Sequence, residues 1–140
     1  MGEGLEPALT ANDRKTYLDT SVAVWLAQGD LSRIAPAALD FIRSSANLLV
    51  SPMVALELAY LHEIDRIKLS SQDVLLKLRA ELGVEVCGST FPALVTIAVN
   101  EKWTRDPFDR IIVSCAKANG LSPLVSSDEA IRKNYVKTVW

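Results

Sequence analysis

Five carboxylates in this 140-residue chain stand where an acid could do chemistry. Asp19 follows the β-prone run Thr16-Tyr17-Leu18. Asp106 and Asp109 lie in "TRDPFDR", which runs straight into the apolar "IIVSCAKANG". Asp128 follows "PLVSS". Glu57 is a lone acid inside "MVALELAYL". Each has a plain structural role open to it. Asp19 can begin a turn or cap a helix, and Asp106 before Pro107 is an ordinary helix start. Asp109 can favour the positive end of a helix, Asp128 can cap the last helix, and Glu57 can face solvent. Together they suggest more. If strand order brings these positions to one edge, the carboxylates share one cleft and raise one another's pKa. A hard divalent cation removes that conflict, and oxygen-only ligands select Mg²⁺ or Mn²⁺ over zinc or copper. Such a site activates water and neutralises charge on a phosphodiester, with one ion or two.

The elements that must position these acids alternate between strand and helix. "TYL" reads as a short buried strand ending at Asp19, with Thr20 or Ser21 capping the helix that "VAVWLAQ" begins. "SRIAPAALDFIRSSA" is helical, with its start near Pro36. "NLLVS" is a second strand; Ser51 caps and Pro52 opens the helix through "MVALELAYLHEID". "SSQDVLLKLRAELG" is a helix from Ser70 or Ser71 to Gly83, and "VEVC" is a third strand. "FPALVTIAVNEK" is a helix, and Asp106 starts another that Gly120 closes. "SPLVSS" is a fourth strand, "DEAIRKN" a short helix and "YVKTVW" a terminal edge strand. The alternation predicts an α/β domain with a mainly parallel central sheet flanked by helices. Ligands of such sheets bind at the carboxyl ends of strands, where Asp19 and Asp128 fall.

Composition narrows the class. Hydrophobic residues make up 49% of the chain, enough for one real core. No apolar run is long enough to span a membrane. The start "MGEGLEPALTANDRK" lacks a basic segment followed by an apolar block, so a cytoplasmic location is expected. Residues 1–15 read as an N-terminal extension and residues 16–140 as the domain. A net charge of −2 gives no global signal for nucleic acid, but acids gathered around cations lower the formal charge. Cys87 and Cys115 read as two small buried thiols in apolar surroundings, without Cys-x-x-Cys spacing. His62, the single histidine, lies off the Glu57 stripe and reads as exposed.

The ordered set "LDTS", "ELAYL", "DPFDR" and "LVSSD" resembles a PIN domain, and more narrowly the VapC-type toxins of bacterial and archaeal type II toxin–antitoxin pairs. The resemblance spans roughly residues 16 to 140. It implies a PIN-like fold with acids clustered at one sheet end. It also implies a metal-dependent endoribonuclease in which Asp19, Glu57, Asp109 and Asp128 are the catalytic, metal-holding acids. Mg²⁺ or Mn²⁺ would be the cofactor, and a metal-activated water would cleave the RNA phosphodiester. Asp106 either reaches a metal or only caps its helix. Ser21, Ser126 and Ser127 offer hydroxyls that can orient a carboxylate or water, and Arg110 can pair with a carboxylate or an RNA phosphate.

The resemblance further implies an RNA substrate, a cognate VapB-like antitoxin and a homodimer. Lys102, Arg105, Arg110, Arg132 and Lys133 are candidates for gripping RNA. Trp25, Tyr60 and Trp103 are candidates for an antitoxin groove, or for core packing. Two other readings compete. One is a non-catalytic PIN-fold module that binds RNA or protein. The other is a phosphoacceptor domain, which wants a paired acid on the first strand and a lysine at the end of the last core strand; "YLDTS" holds one acid and "PLVSSD" no lysine.

Overall fold

The run Lys15-Thr16-Tyr17-Leu18 is rich in β-prone side chains and forms the central strand, buried along all but its first residue. The computed structural model describes residues 14–140, so the extension read over residues 1–15 lies, but for its last two residues, outside the described residues. In order, the elements are β1 (Lys15–Leu18), α1 (Thr20–Gln28), a 3-10 turn (Leu31–Arg33), α2 (Pro36–Ser44), β2 (Asn47–Val50), α3 (Pro52–Glu63), α4 (Ser71–Leu82), β3 (Glu85–Val86), α5 (Phe91–Ala98), α6 (Pro107–Ala118), β4 (Leu124–Val125), α7 (Glu129–Asn134) and β5 (Thr138–Val139).

The strands form one sheet in the order β3-β2-β1-β4-β5. Every neighbouring pair is parallel, with Tyr17 opposite Leu49 on one side and Leu124 on the other. The chain therefore walks outward from β1 through β2 and β3, then returns to build β4 and β5 on the far side. That reversal opens a crevice between the carboxyl ends of β1 and β4, where ligands of such sheets bind. Asp19 and Ser126 are the first residues beyond those two ends.

Local chemistry explains the helix starts. Ser51 accepts the Met53 N–H at 3.1 Å, with Pro52 at the first helical position. Asp106 accepts the Phe108 N–H at 2.8 Å ahead of Pro107. Of the caps open to α1, Asp19 takes the role and Thr20 and Ser21 do not: its extended backbone lets Oδ1 reach the Thr20 N–H at 2.8 Å. Gly83 ends α4 with φ 68°, a left-handed conformation that costs glycine little. The terminal segment 135–140 pairs only over Thr138–Val139, as the edge strand beside β4.

Helix α6 runs through the core, with Ile111 to Ala116 buried without interruption. It packs against α5 and α3. Leu58 of α3, Leu94 of α5 and Ile112 of α6 are fully buried; each such side chain stabilises the fold by roughly 1.5–3 kcal/mol. This packing fixes α3 against α6, and hence Glu57 relative to Asp109.

Candidate functional site

Asp19 is 7% exposed and sits deepest in the crevice. Its backbone N–H donates to the Val125 carbonyl at 3.0 Å, which locks it to the end of β4. Oδ1 accepts from the Thr20 N–H, and Oδ2 accepts from the Ser126 hydroxyl at 2.6 Å. Burial pushes this carboxyl above the usual range; the two hydrogen bonds oppose the rise, and Asp128 and Asp106 add to it.

Glu57, on α3, is half-buried rather than solvent-facing. Its Oε1 accepts a hydrogen bond from the Thr20 hydroxyl at the start of α1. Burial raises its pKa, Thr20 lowers it, and Asp19 and Asp106 raise it further.

Asp109, in the first turn of α6, completes the group. Burial and then the fields of Asp106, Asp19, Asp128 and Glu57 push its carboxyl from 3.8 to about 7. All four other candidate acids thus act on this one carboxylate. The α3–α6 contact is reinforced beside it by Tyr60 and Phe108, whose rings are 6.1 Å apart.

Asp106 and Asp128 serve first as caps. Asp128 accepts the Ile131 N–H at 3.0 Å, and its own N–H donates to Ser126 Oγ at 3.1 Å. Ser126 therefore joins Asp19 to the start of α7. The capping roles do not remove these acids from the cluster, because both still press on Asp19 and Asp109.

The supporting residues divide. Ser126 orients a carboxylate, as its position suggested. Ser127 makes no such bond among the described residues. Ser21 is exposed and lines a cleft of about 430 Å³ with Trp25, Leu61 and Arg66. The hydroxyl that reaches an acid belongs to Thr20, one residue earlier. Successive residues on a helix point about 100° apart, so only one of the pair can face α3. "LDTS" offered both hydroxyls, and the rotation of α1 chose between them. Arg110 is not free: its Nε donates to the Thr104 carbonyl at 2.8 Å, tying the loop before α6 to the helix, and it pairs with no carboxylate among the described residues.

Lys102, Arg105, Arg132 and Lys133 are exposed, and Lys133 pairs with Glu129 at 3.2 Å. His62 is exposed, as expected. The three proposed groove aromatics are dispersed. Trp25 packs on Trp140 with rings 6.1 Å apart, Tyr60 is exposed, and Trp103 donates its indole N–H to Glu101 at 3.5 Å. The cavities of about 600 and 610 Å³ lie away from the acids.

Among the described residues, no three His, Cys, Asp or Glu side chains close into a ready ligand cluster. The acids form an open edge held by hydroxyls and backbone N–H groups. Their donor atoms are all oxygen, and burial and mutual repulsion leave Asp109 short of counter-charge. That combination fits a hard divalent ion which keeps several waters and takes a few carboxylates, and does not fit zinc or copper.

The PIN domain family model matches residues 16–137. Comparison with curated proteins gave no match. Among the solved structures that share the fold are two crystal structures. VapBC2 from Rickettsia felis bound to a DNA fragment from the promoter is 16% identical, with a TM-score of 0.58 over 89% of this chain and 96% of that one. DNA-bound VapBC from Salmonella typhimurium is 16% identical, with a TM-score of 0.55 over 90% of this chain and 97% of that one.

Proposed function

The chain belongs to the PIN-domain family, and on that premise we propose that it is an endoribonuclease dependent on Mg²⁺ or Mn²⁺, acting as the toxin of a toxin–antitoxin pair. One observation carries the reading: the fields of Asp106, Asp19, Asp128 and Glu57 all fall on half-buried Asp109. A fold gains nothing from such repulsion, and a cation relieves it.

In this account Asp19, Glu57 and Asp109 hold the ion, with Asp128 completing the site and Asp106 close by. Bound there, a hard divalent ion supplies positive charge against a phosphodiester and eases the deprotonation of water. The chain's own groups supply order. The Thr20 N–H and the Ser126 hydroxyl fix both oxygens of Asp19, and the Thr20 hydroxyl fixes Glu57. Burial and the neighbouring acids raise Asp109 to about 7, so that it would shed its proton on taking up a cation. Exposed Lys102, Arg105 and Arg132 are available to RNA phosphates.

The likeness to two VapBC complexes supports a VapB-like antitoxin as partner. An apolar helix or tail laid over a groove is the expected mode; the cleft beside Ser21 offers Trp25, Leu61 and Ile67, set among polar Gln28, Asp30, Arg33 and Arg66. A homodimer and a cytoplasmic location complete the proposal. Among the described residues, no helix is long and apolar enough to cross a membrane.

The test is cleavage of structured RNA with Mg²⁺ or Mn²⁺. Wild type should cut, and Asp19→Asn and Asp109→Asn should each lose at least about 100-fold in rate, as removal of a group stabilising the transition state does. A wild type that never cuts under either ion removes the nuclease reading and leaves a PIN-fold binding module.

A further inference from the structure

The loop between α5 and α6, residues 99–106, brings Asp106 and the first turn of α6 to the acidic edge. Its first residues are held by backbone bonds, the last from the Glu101 N–H to the Ala98 carbonyl at 3.0 Å. Residues 102–105 make no backbone–backbone hydrogen bond among the described residues. Pro107, directly after Asp106, has no N–H to offer. The path of this stretch therefore depends on side chains.

Two side chains of α6 reach back to the loop. Toward the end of the helix, Lys117 Nζ pairs with buried Glu101 at 2.7 Å. In the first turn, half-buried Arg110 gives the loop two donors. Its backbone N–H bonds the Asp106 carbonyl at 3.1 Å, and its Nε–H bonds the Thr104 carbonyl at 2.8 Å. Thr104 passes the restraint on, because its Oγ1 accepts the Asp106 N–H at 3.2 Å. Asp106 then accepts the Phe108 N–H at 2.8 Å. Arg110, Thr104 and Asp106 thus close a ring of bonds around the turn that carries Asp106 and Asp109. The body of α6 needs no such latch, since Ile111 to Ala116 are buried in the core. Only the approach and the first turn are left for side chains to set.

We infer, on the reading that this edge holds a divalent ion for RNA cleavage, that Arg110 is a positioning residue: its Nε–H, not its charge, fixes the Thr104–Asp106 turn and so places the Asp106 and Asp109 carboxylates. The partner is a carbonyl oxygen, which asks for a donor at the right reach and carries no formal charge. Glutamine meets that demand, because its Nε nitrogen is bonded to Cδ as it is in arginine. Methionine puts a methyl group at the same distance from the backbone and has no donor. Displacement of Asp106 would be felt across the edge, because its field reaches Asp19, Glu57 and Asp109.

The experiment titrates wild type, Arg110→Met, Arg110→Gln and Lys117→Met with Mn²⁺, and follows amide hydrogen exchange of each in EDTA. Arg110→Met, folded by circular dichroism, should bind Mn²⁺ at least about tenfold more weakly, as loss of a group that orients metal ligands does. Its Asp106 and Phe108 amides should exchange faster without metal. Arg110→Gln should recover most of both, although the charge is gone. Lys117→Met should lose stability and keep its Mn²⁺ affinity. Arg110→Met binding as tightly as wild type overturns the inference, as does Arg110→Gln binding as weakly as Arg110→Met. Equal weakening by Lys117→Met also overturns it, since affinity would then report general loosening. A wild type that takes up no Mn²⁺ is a separate failure, which removes the metal reading and this role with it. If Arg110→Met does not fold, Thr104→Val, which deletes the acceptor of the Asp106 N–H, takes its place with the same expected loss, and unchanged affinity overturns the inference.

Discussion

The Ser126 hydroxyl donates to Asp19 Oδ2 at 2.6 Å, joining residues 107 positions apart in sequence. The bond exists because β4 returns beside β1, so the first residue after each strand meets the other. The same serine accepts the Asp128 N–H at 3.1 Å, which connects the deepest acid to the cap of α7. One hydroxyl thus orders two of the acids.

Removing it should be felt twice. Ser126→Ala leaves one oxygen of a buried carboxylate without its partner, at a cost of about 1–3 kcal/mol in urea denaturation. Because the Ser126 bond holds the Asp19 pKa down, the variant should also raise it and weaken Mn²⁺ binding at neutral pH.

Thr20→Val keeps the shape of the side chain and deletes the donor to Glu57. The fold should survive, while Mn²⁺ affinity should fall several-fold in a direct titration. Thr20→Ser, which restores the hydroxyl, should recover most of that loss.

The pH dependence follows from Asp109, whose folded pKa of about 7 lies above its ordinary 3.8. A carboxyl raised on folding stabilises the protein fully below the lower value, and the contribution is lost as pH rises through the upper one. The metal-free protein should lose stability from this group between about pH 4 and 7. Asp109→Asn should lack that slope and melt higher than wild type at pH 8 in EDTA. Mg²⁺ should raise the wild-type Tm more at pH 8 than at pH 5. Burial raises Asp19 and Glu57 in the same sense.

A control lies outside the acidic edge. Glu101 is 5% exposed, and Lys117 Nζ reaches it at 2.7 Å. Lys117→Met strands that carboxylate with only the long indole contact from Trp103. The loss should be roughly 3 kcal/mol in chemical denaturation. Divalent-ion affinity of the folded fraction should be unchanged.

Much of this was legible in the chain. Asp19 and Asp128 stand next to short apolar strands, and Asp106 precedes a proline, so local rules place all three. Asp109 follows three residues later on the same helix. Glu57 stood out as one acid in an apolar turn. What sequence could not supply was rotation and partnership. "LDTS" does not say which hydroxyl faces α3, and it is Thr20. "RDPFDR" does not show that Arg110 turns back to the Thr104 carbonyl. Cys87 reads as a small thiol in apolar surroundings at the end of "VEVC", yet it meets Tyr17, Ser89 and Asn119 in space. Those pairings depend on strand order and helix packing, which act over long separations.

The measurement closest to the central claim is a titration with Mn²⁺ followed by the electron paramagnetic resonance of the free ion. Wild type should deplete that signal saturably, and Asp19→Asn/Asp109→Asn, folded by circular dichroism, should leave it essentially undiminished. Equal uptake by both proteins would mean that the acids at this sheet edge are not the ones that hold the ion.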